Sequence, residues 1–507
     1  MKEGLSVSTP YKELFEHSKK IKLLESVTYL LEWDQETYMP EGAAAARAAQ
    51  IELVTSLAHQ ERTSKEYRNK LGKLVDLDSG QVIGEHNPAL KQWYRDYKIA
   101  ISLPNEFVKA FAKLSSESMI AWQEARSKNT FNTFAPYLTK MIEMSQQKAD
   151  YLGYDNHPYD ALLDLYEPEM SCKQIDPLFK TLGEQIKSLL NTIVAKQAPN
   201  TSFLHGKFSH EKQMEFGKLI LDKMGFDFNC GRLDLSAHPF SMAMHPTDSR
   251  VTTRMHTSSV FDCISAVLHE GGHSLYEMGL LAEHFGSPIG EPISLGIHES
   301  QSRFWETRIG QSQAFWQYFL PPLKKLFPDK LKNITLSQFY HAINHVHPSF
   351  IRVESDEVTY SLHVILRYEL EKQMISGKLK SHEIPEAWRE MMETLLGVTP
   401  SSDKDGCLQD IHWSMGGIGY FPTYALGNLY AAQFFDAFAQ KYPDWQKRVS
   451  EGELLFIKNW LNQEIHQHGR TYSAEQLVKK VSGQALSTKS YLNYLNQKYG
   501  ELYKISI

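Results

Sequence analysis

The most informative segment of the sequence extends from Ser259 to Gly279 and reads SVFDCISAVLHEGGHSLYEMG. Ser259 can cap a helix, and apolar residues follow at helical spacing at Ile264, Val267, Leu268, Leu275 and Met278. Within this helix His269, Glu270 and His273 form the pattern H-E-x-x-H. Two histidines four residues apart lie on one helical face, so both rings can reach one ion while the glutamate lies beside it. This spacing is typical of the metal helix of zinc hydrolases.

A catalytic zinc site needs a third protein ligand, because three ligands plus a water complete it. Without one, the alternative is a surface helix with two solvated histidines. Glu299 provides the candidate in IHESQSRFWETRIG, where a helical pattern resumes after Gly286, Pro288, Gly290 and Pro292. Two helices joined by such a loop can lie antiparallel. The sequence therefore predicts a metal site made by His269, His273 and Glu299.

Gly271 and Gly272 stand inside this predicted helix, where each costs about 1 kcal/mol relative to alanine. Glycine in a helix lets a neighbouring backbone or a substrate come close. We expect one of these at the metal site.

Composition narrows the function classes. The 507 residues carry a net charge of -6, which argues against a protein that binds nucleic acid through a positively charged surface. No apolar run approaches the ~20 residues that span a membrane. The polar N-terminal stretch lacks a secretory signal, which predicts the cytoplasm, and four scattered cysteines predict reduced thiols.

Helical patterns extend over most of the chain, so we predict a mostly α fold. Trp33 to Pro40, WDQETYMP, is interpreted as a helix end stopped by Pro40. No long linker or repeat divides the sequence. Residues 1–507 are therefore expected to form a single catalytic domain, which a cleft can divide into two lobes.

The pattern changes just before the metal helix, where a short strand is predicted over Val251 to Met255. Such a strand can pair a free edge with an extended peptide. Asp248 and Arg250 should project to one side, to pair with each other or with a substrate end. Nearby stand three histidines, each more often structural than a ligand: His238, His245 and His256.

After Glu299 the helix is predicted to continue to Phe319 and to close at Pro321 and Pro322. Farther on, Phe350 to Val353 is expected to be extended, and Ser355 to cap a long helix that ends at Gly377. Arg352 precedes that helix. By itself it is either a solvated or salt-bridged arginine or a substrate contact.

The segment Gly406 to Gln433, GCLQDIHWSMGGIGYFPTYALGNLYAAQ, favours a substrate-facing loop. Its glycines lack the G-K-[ST] of a phosphate loop. The loop carries Tyr420 and Tyr424, and a tyrosine hydroxyl is a suitable donor to a developing oxyanion.

Together these motifs resemble the carboxypeptidase Taq family of metallocarboxypeptidases. The resemblance rests on their order: HPF from His238, D-x-R-x-T from Asp248, HEGGH from His269, HESQS from His298, IRVESDE from Ile351, and GCLQDIHW followed by GYFPTY from Gly406 to Tyr424. It implies a helical, neurolysin-like gluzincin fold with a deep groove, a small β-sheet beside the metal helix, a homodimer and a cytoplasmic location.

The resemblance also implies roles for single residues. It assigns one divalent metal to His269, His273 and Glu299, and the catalytic carboxylate to Glu270. Zinc is the expected metal, and cobalt suits the same ligands. It implies that Arg352 holds the substrate's terminal carboxylate and that Tyr420 or Tyr424 assists the tetrahedral intermediate. His238 and Arg250, in the family's motifs, are further expected substrate-binding residues.

These features predict a carboxypeptidase that removes single amino acids from the free C-terminus of peptides by attack of zinc-bound hydroxide, with Glu270 as general base. Two alternatives remain open. An oligopeptidase would use the same ligands without a carboxylate clamp, and a silent binding protein would retain only a vestigial metal site.

Overall fold

The computed structural model describes residues 9–84, 87–254 and 259–505. These residues are mostly helical, as predicted. The helices are α1 Thr9–Thr37, α2 Ala44–Arg62, α3 Lys65–Gly72, α4 Pro88–Ser102, α5 Asn105–Lys128, α6 Phe131–Leu152, α7 Pro158–Leu163, α8 Cys172–Val194, α9 His210–Met224, α10 Phe261–Gly279, α11 Leu295–Arg303, α12 Gln313–Leu326, α13 Pro328–Leu331, α14 Leu336–Ile343, α15 Tyr360–Ile375, α16 Ile384–Leu396, α17 Pro422–Lys441, α18 Trp445–Ser450, α19 Leu455–Glu464, α20 Ala474–Ser482 and α21 Lys489–Tyr503.

Helices α1 to α4 enclose a small hydrophobic core that includes Leu14, Tyr67, Leu71 and Trp93. A larger cluster runs through the remaining helices. Helix α1 ends at Thr37, shortly before Pro40, which confirms the interpretation of that segment as a helix end. The aromatic residues of the segment nevertheless have long-range partners, since the Tyr38 hydroxyl donates to Asp234 at 2.6 Å.

A three-stranded sheet packs beside α10. Its strands are β1 Gly231–Leu235, β2 Ser241–His245 and β3 Asp248–Thr253, in the order β1-β3-β2. Strand β3 pairs parallel with β1 and antiparallel with β2. The predicted strand over Val251 to Met255 is thus found, shifted toward the N-terminus, while Met255 and His256 lie outside the described residues. The expectation that this strand has a free edge is wrong, because β3 is the central strand and the two edges of the sheet belong to β1 and β2.

The region after Glu299 differs from the prediction of one helix as far as Phe319. Helix α11 ends at Arg303, a π-helical segment spans Phe304–Ile309, and α12 starts afresh at Gln313. Helix α12 also continues through Pro321 and Pro322 to Leu326. Each proline removes a helical hydrogen bond. Apolar residues of α12 are nevertheless buried both before the two prolines (Phe319 and Leu320) and after them (Leu323), so tertiary burial outweighs the local penalty.

The segment around Arg352 also differs from the prediction. Arg352–Glu354 forms a 3-10 turn instead of an extended segment, and Ser355 is not the helix cap. The Ser355 hydroxyl donates to the Arg352 carbonyl at 2.6 Å, whereas the Asp356 carboxylate accepts the amides of Val358 and Thr359 ahead of α15. The stronger acceptor one residue later determines where the helix starts.

No disulfide joins any of the four cysteines, all of which lie in the part of the chain that the structure describes, in agreement with the predicted reduced thiols. Among the described residues, no helix has the length and apolarity that a membrane span requires.

Candidate active site

Helices α10 and α11 run antiparallel, as the sequence predicts. The contacts that show this are His269 with Glu306, Gly272 with Gln301, and His273 with His298. Residue numbers increase along α10 while the numbers of the residues opposite decrease. Helix α10 begins at Phe261, two residues after the predicted cap Ser259, whose hydroxyl accepts a hydrogen bond from the Asp262 amide at 3.4 Å.

The two glycines of α10 have different neighbours. A Cβ at Gly271 would meet the Leu221 side chain, whereas a Cβ at Gly272 would lie 2.7 Å from the Gln301 carbonyl oxygen and 2.7 Å from the Ser302 Cα. The expectation that a neighbouring backbone comes close is therefore correct for Gly272. The close approach allows α11 to lie against the metal helix.

His269, His273 and Glu299 converge on one point. Each offers one ligand atom, and these three atoms lie within 4.8 Å of one another. Oε2 of Glu299 lies 3.7 Å from Nε2 of His269 and 3.5 Å from Nε2 of His273. Oε1 of Glu299 is buried without a hydrogen-bond partner among the described residues. A buried carboxylate with a free oxygen beside two imidazoles fits a divalent metal, and two histidines with a glutamate form a known zinc set.

Glu306 positions His269. Its Oε2 lies 2.8 Å from Nδ1 of His269, and its other oxygen accepts from the Ser265 hydroxyl at 2.7 Å. Arg303 donates to the same carboxylate at 2.8 Å. The bond to Nδ1 leaves Nε2 of His269 directed at the other ligands. Burial alone would lower the pKa of His269, but the carboxylates of Glu299 and Glu306 outweigh it and raise the pKa to about 9.

His298 and Glu277 position His273 in the same way. Nδ1 of His273 lies 2.6 Å from Nδ1 of His298, whose Nε2 lies 2.9 Å from Oε1 of Glu277. The carboxylate can only accept, so with both rings neutral His298 donates from Nε2 and accepts at Nδ1. His273 must then donate from Nδ1, which leaves the lone pair of Nε2 free. Burial and the neighbouring His298 lower the pKa of His273 to about 4, so its ring stays neutral, as a metal ligand requires.

The sequence interpretation missed these supporting residues. Glu306 lies seven residues after Glu299, two helical turns on, and this spacing was the available signal for a second inward carboxylate. His298 and Glu277 left no such signal, since their contact depends on how α10 and α11 pack.

Glu270 lies in the wall of the same cavity as His269, His273 and Glu299 and is 9% exposed. Burial raises the pKa of its carboxyl to about 7, against the lowering effect of His269. The cavity has a volume of about 880 Å³ and is bounded by parts of α1, α4, β2, α10 and α11. Tyr420 and Tyr424 complete the wall.

Tyr424 stands in the first turn of α17, and Tyr420 just precedes that helix. Their rings lie 5.3 Å apart, and the Tyr424 hydroxyl lies 3.2 Å from Nε2 of His412. Burial raises the pKa of both hydroxyls, so each tyrosine keeps its proton and can donate. The structure thus brings the predicted loop to the same cavity as His269, His273 and Glu299.

Comparison with known proteins places the chain in a family. Residues 13–499 match the carboxypeptidase Taq (M32) metallopeptidase family. The chain belongs to this family. It is 39% identical over 504 residues to thermostable carboxypeptidase 1 of Thermus thermophilus, across 97% of this chain and 99% of that protein. It is 36% identical to carboxypeptidase 1 of Bacillus subtilis, across 98% and 100%. The crystal structure of the M32 carboxypeptidase from Deinococcus radiodurans R1 matches with a TM-score of 0.94 and 36% identity, over 98% of this chain and 100% of that one.

The chain is therefore a peptide hydrolase of the M32 metallocarboxypeptidase family. Membership in a metallopeptidase family implies a divalent metal, and the three converging residues offer a site for it.

In this peptidase Arg352 is buried and is not part of the cavity wall, and its guanidinium carbon lies 4.7 Å from the ring centre of Tyr424. Arg352 donates from Nε and Nη2 to Oδ1 of Asp410, at 3.2 and 2.9 Å. Asp410 also pairs with the buried Arg367. Burial would raise the pKa of Asp410, but the two guanidinium groups hold it well below its usual range. Two arginines and one carboxylate leave this group with one net positive charge.

The other two predicted substrate-binding residues lie apart from the cavity wall. Arg250 pairs with Asp248 at 2.9 Å, as the sequence allowed, and its guanidinium carbon stands 4.3 Å from the ring centre of Trp33. His238 is exposed in the connection before β2. His245 lies in the cavity wall with Nδ1 2.8 Å from the Thr247 hydroxyl.

Proposed function

We propose that this peptidase removes single amino acids from the free C-terminus of peptides. The observation that carries the proposal is the convergence of His269, His273 and Glu299 on a cavity that Glu270 also lines. These three residues would hold one divalent metal, for which the donor set favours zinc and also suits cobalt. When bound, the metal would polarise the scissile carbonyl and lower the pKa of a coordinated water toward ~7.

The remaining chemistry belongs to side chains of the chain itself. Glu270 takes the proton of the attacking water and delivers it to the leaving amine. Its support is its place beside His269, in the wall of the same cavity. Tyr420 or Tyr424 donates a hydrogen bond to the oxyanion, since both hydroxyls keep their protons and both rings line the cavity.

Arg352 supplies the specificity for a terminal carboxylate. The net positive charge that it forms with Arg367 and Asp410 attracts an anion, and Arg352 contacts the ring of Tyr424, which lines the cavity. Holding the last carboxylate there would place the last peptide bond over the metal-binding residues. His238 and Arg250 remain predictions as further substrate contacts.

The broader predictions belong to the same proposal. We propose one catalytic domain whose cavity is part of a neurolysin-like groove, and a homodimer that acts in the cytoplasm. Light scattering of the purified protein tests the dimer, and fractionation of cells that express it tests the location.

Mass spectrometry of peptide products tests the proposed function. One unstructured peptide is offered as the free acid and as the C-terminal amide, each with and without zinc. We expect a zinc-dependent ladder of single-residue losses from the acid only. Internal cuts in both forms would mean an oligopeptidase, and binding without any cleavage would mean a silent binding protein.

A further inference from the structure

Glu32 differs from the other charged side chains of the cavity wall, most of which are neutralised by a partner. Lys22 lies 3.0 Å from Oε1 of Glu291, and Arg470 lies 2.9 Å from Oδ1 of Asp96. These pairs leave little free charge for a ligand to meet.

The same holds for two more charged groups of the wall. Arg95 pairs with Asp164 at 2.5 Å, and Glu277 pairs with His298 at 2.9 Å. Glu32, in contrast, has no cationic partner among residues 9–84, 87–254 and 259–505. Burial acts on its carboxyl without any opposing charge and raises its pKa. Apart from the catalytic residues, Glu32 is the carboxylate of the described wall that a ligand can still neutralise.

The position of Glu32 indicates which part of a peptide it meets. It lies on α1, one turn after Tyr29, and α1 packs against the edge strand β2. Arg352, the proposed clamp, lies outside the cavity wall and contacts the ring of Tyr424, which is part of the wall. A peptide held there by its last residue would pass the metal-binding residues and enter the cavity with its earlier residues. Glu32 would then face residues upstream of the cleaved bond.

We propose that Glu32 makes the peptidase select substrates with a lysine or arginine upstream of the cleaved bond. The proposal deepens the proposed C-terminal cleavage and rests on it. A cationic side chain would supply the missing partner of a half-buried carboxylate, and its aliphatic stem can pack on the apolar wall formed by Phe240 and Met242. One such charge-assisted hydrogen bond corresponds to a preference of about tenfold or more in kcat/KM.

Matched peptides test this proposal. Each is a pentapeptide with a free C-terminus and uncharged side chains at all positions but one. That position carries lysine, or norleucine as the uncharged reference of similar length, and it is moved along the peptide in turn. We expect the unaltered enzyme to prefer lysine over norleucine about tenfold at one upstream position. Glu32→Gln should abolish this ratio, and Glu32→Lys should favour glutamate at the same position. Glu36→Gln is the control, because Glu36 is exposed one turn farther along α1 and lies outside the wall.

The norleucine and lysine peptides test the proposed C-terminal cleavage and the role of Glu32 separately. Cleavage of the norleucine peptide by the unaltered enzyme and by Glu36→Gln reports the C-terminal cleavage alone. If that peptide is cleaved but the lysine ratio is near one at every upstream position, or is the same in Glu32→Gln, the role of Glu32 is refuted. A Glu32-dependent preference at the released residue would refute its upstream placement. Failure of both proteins on the norleucine peptide would refute the proposed function itself.

Discussion

Alanine at position 272 should weaken the metal site, whereas alanine at the neighbouring position 271 should not. A Cβ at Gly272 would lie 2.7 Å from both the Gln301 carbonyl oxygen and the Ser302 Cα, which are backbone atoms of α11. At Gly271 the atoms in the way belong to the side chains of Leu221 and Met224. Side chains can change rotamer, whereas the backbone can yield only if the two helices separate.

The size of the effect follows from these distances. Ordinary carbon contacts begin at about 3.4 Å, so relief at Gly272 needs a separation of about 0.7 Å (3.4 − 2.7). Bonds to a metal tolerate deviations of only about 0.2 Å. Glu299 moves with α11, so we expect Gly272→Ala to lower zinc affinity about 10- to 100-fold. Its overpacking cost of about 1–3 kcal/mol is partly offset by about 1 kcal/mol of gained helix propensity.

Competition with a chromogenic chelator measures zinc affinity, and urea unfolding measures stability. Gly271→Ala should bind zinc as the unaltered protein does and change the free energy of unfolding by no more than about 1–2 kcal/mol. Equal zinc affinity in the two variants would refute the role assigned to the close approach of α10 and α11.

Four further predictions concern single side chains. Glu270→Gln should keep zinc but lose about 10²- to 10⁴-fold in turnover of a peptide free acid, and normal turnover would remove its role as general base. Arg352→Ala should raise KM for free-acid peptides about tenfold or more, because the terminal carboxylate loses its partner; an unchanged KM contradicts the clamp. His298→Ala should weaken zinc about 10- to 100-fold in the same chelator competition, because His273 loses the acceptor that holds its tautomer; unchanged affinity argues against the pairing. Burial raises the pKa of Glu371 to about 7 from its ordinary 4.5. The folded chain therefore keeps a proton there that the unfolded chain has lost, and this contribution to the unfolding free energy falls as pH rises from 4.5 to 7. Urea titrations should show a smaller decline over this window for Glu371→Gln, and equal declines would contradict the shift.

The sequence was sufficient where the signal is local. H-E-x-x-H places two imidazoles on one face of any helix, and a helical pattern that resumes after a glycine- and proline-rich loop brings Glu299 back beside them. Strand alternation places Asp248 and Arg250 on the same side, and the ion pair that they form is one of the two arrangements that the sequence allowed. Each of these predictions depends on residues within one element or one connection.

The features that the sequence did not reveal depend on packing between distant segments. Helix α12 continues through Pro321 and Pro322 because its apolar face is buried along its length. Strand β3 has no free edge because β2 pairs with it on one side and β1, which is not its neighbour in sequence, pairs with it on the other. Arg352 gave no sign that Asp410, 58 residues later, would be its partner.

X-ray diffraction at the zinc absorption edge, from crystals of the protein grown with one equivalent of zinc, would locate the metal. We expect one strong anomalous peak per chain about 2 Å from Nε2 of His269, Nε2 of His273 and a carboxylate oxygen of Glu299. A peak elsewhere, or one in contact with fewer than these three side chains, would contradict the proposed metal site.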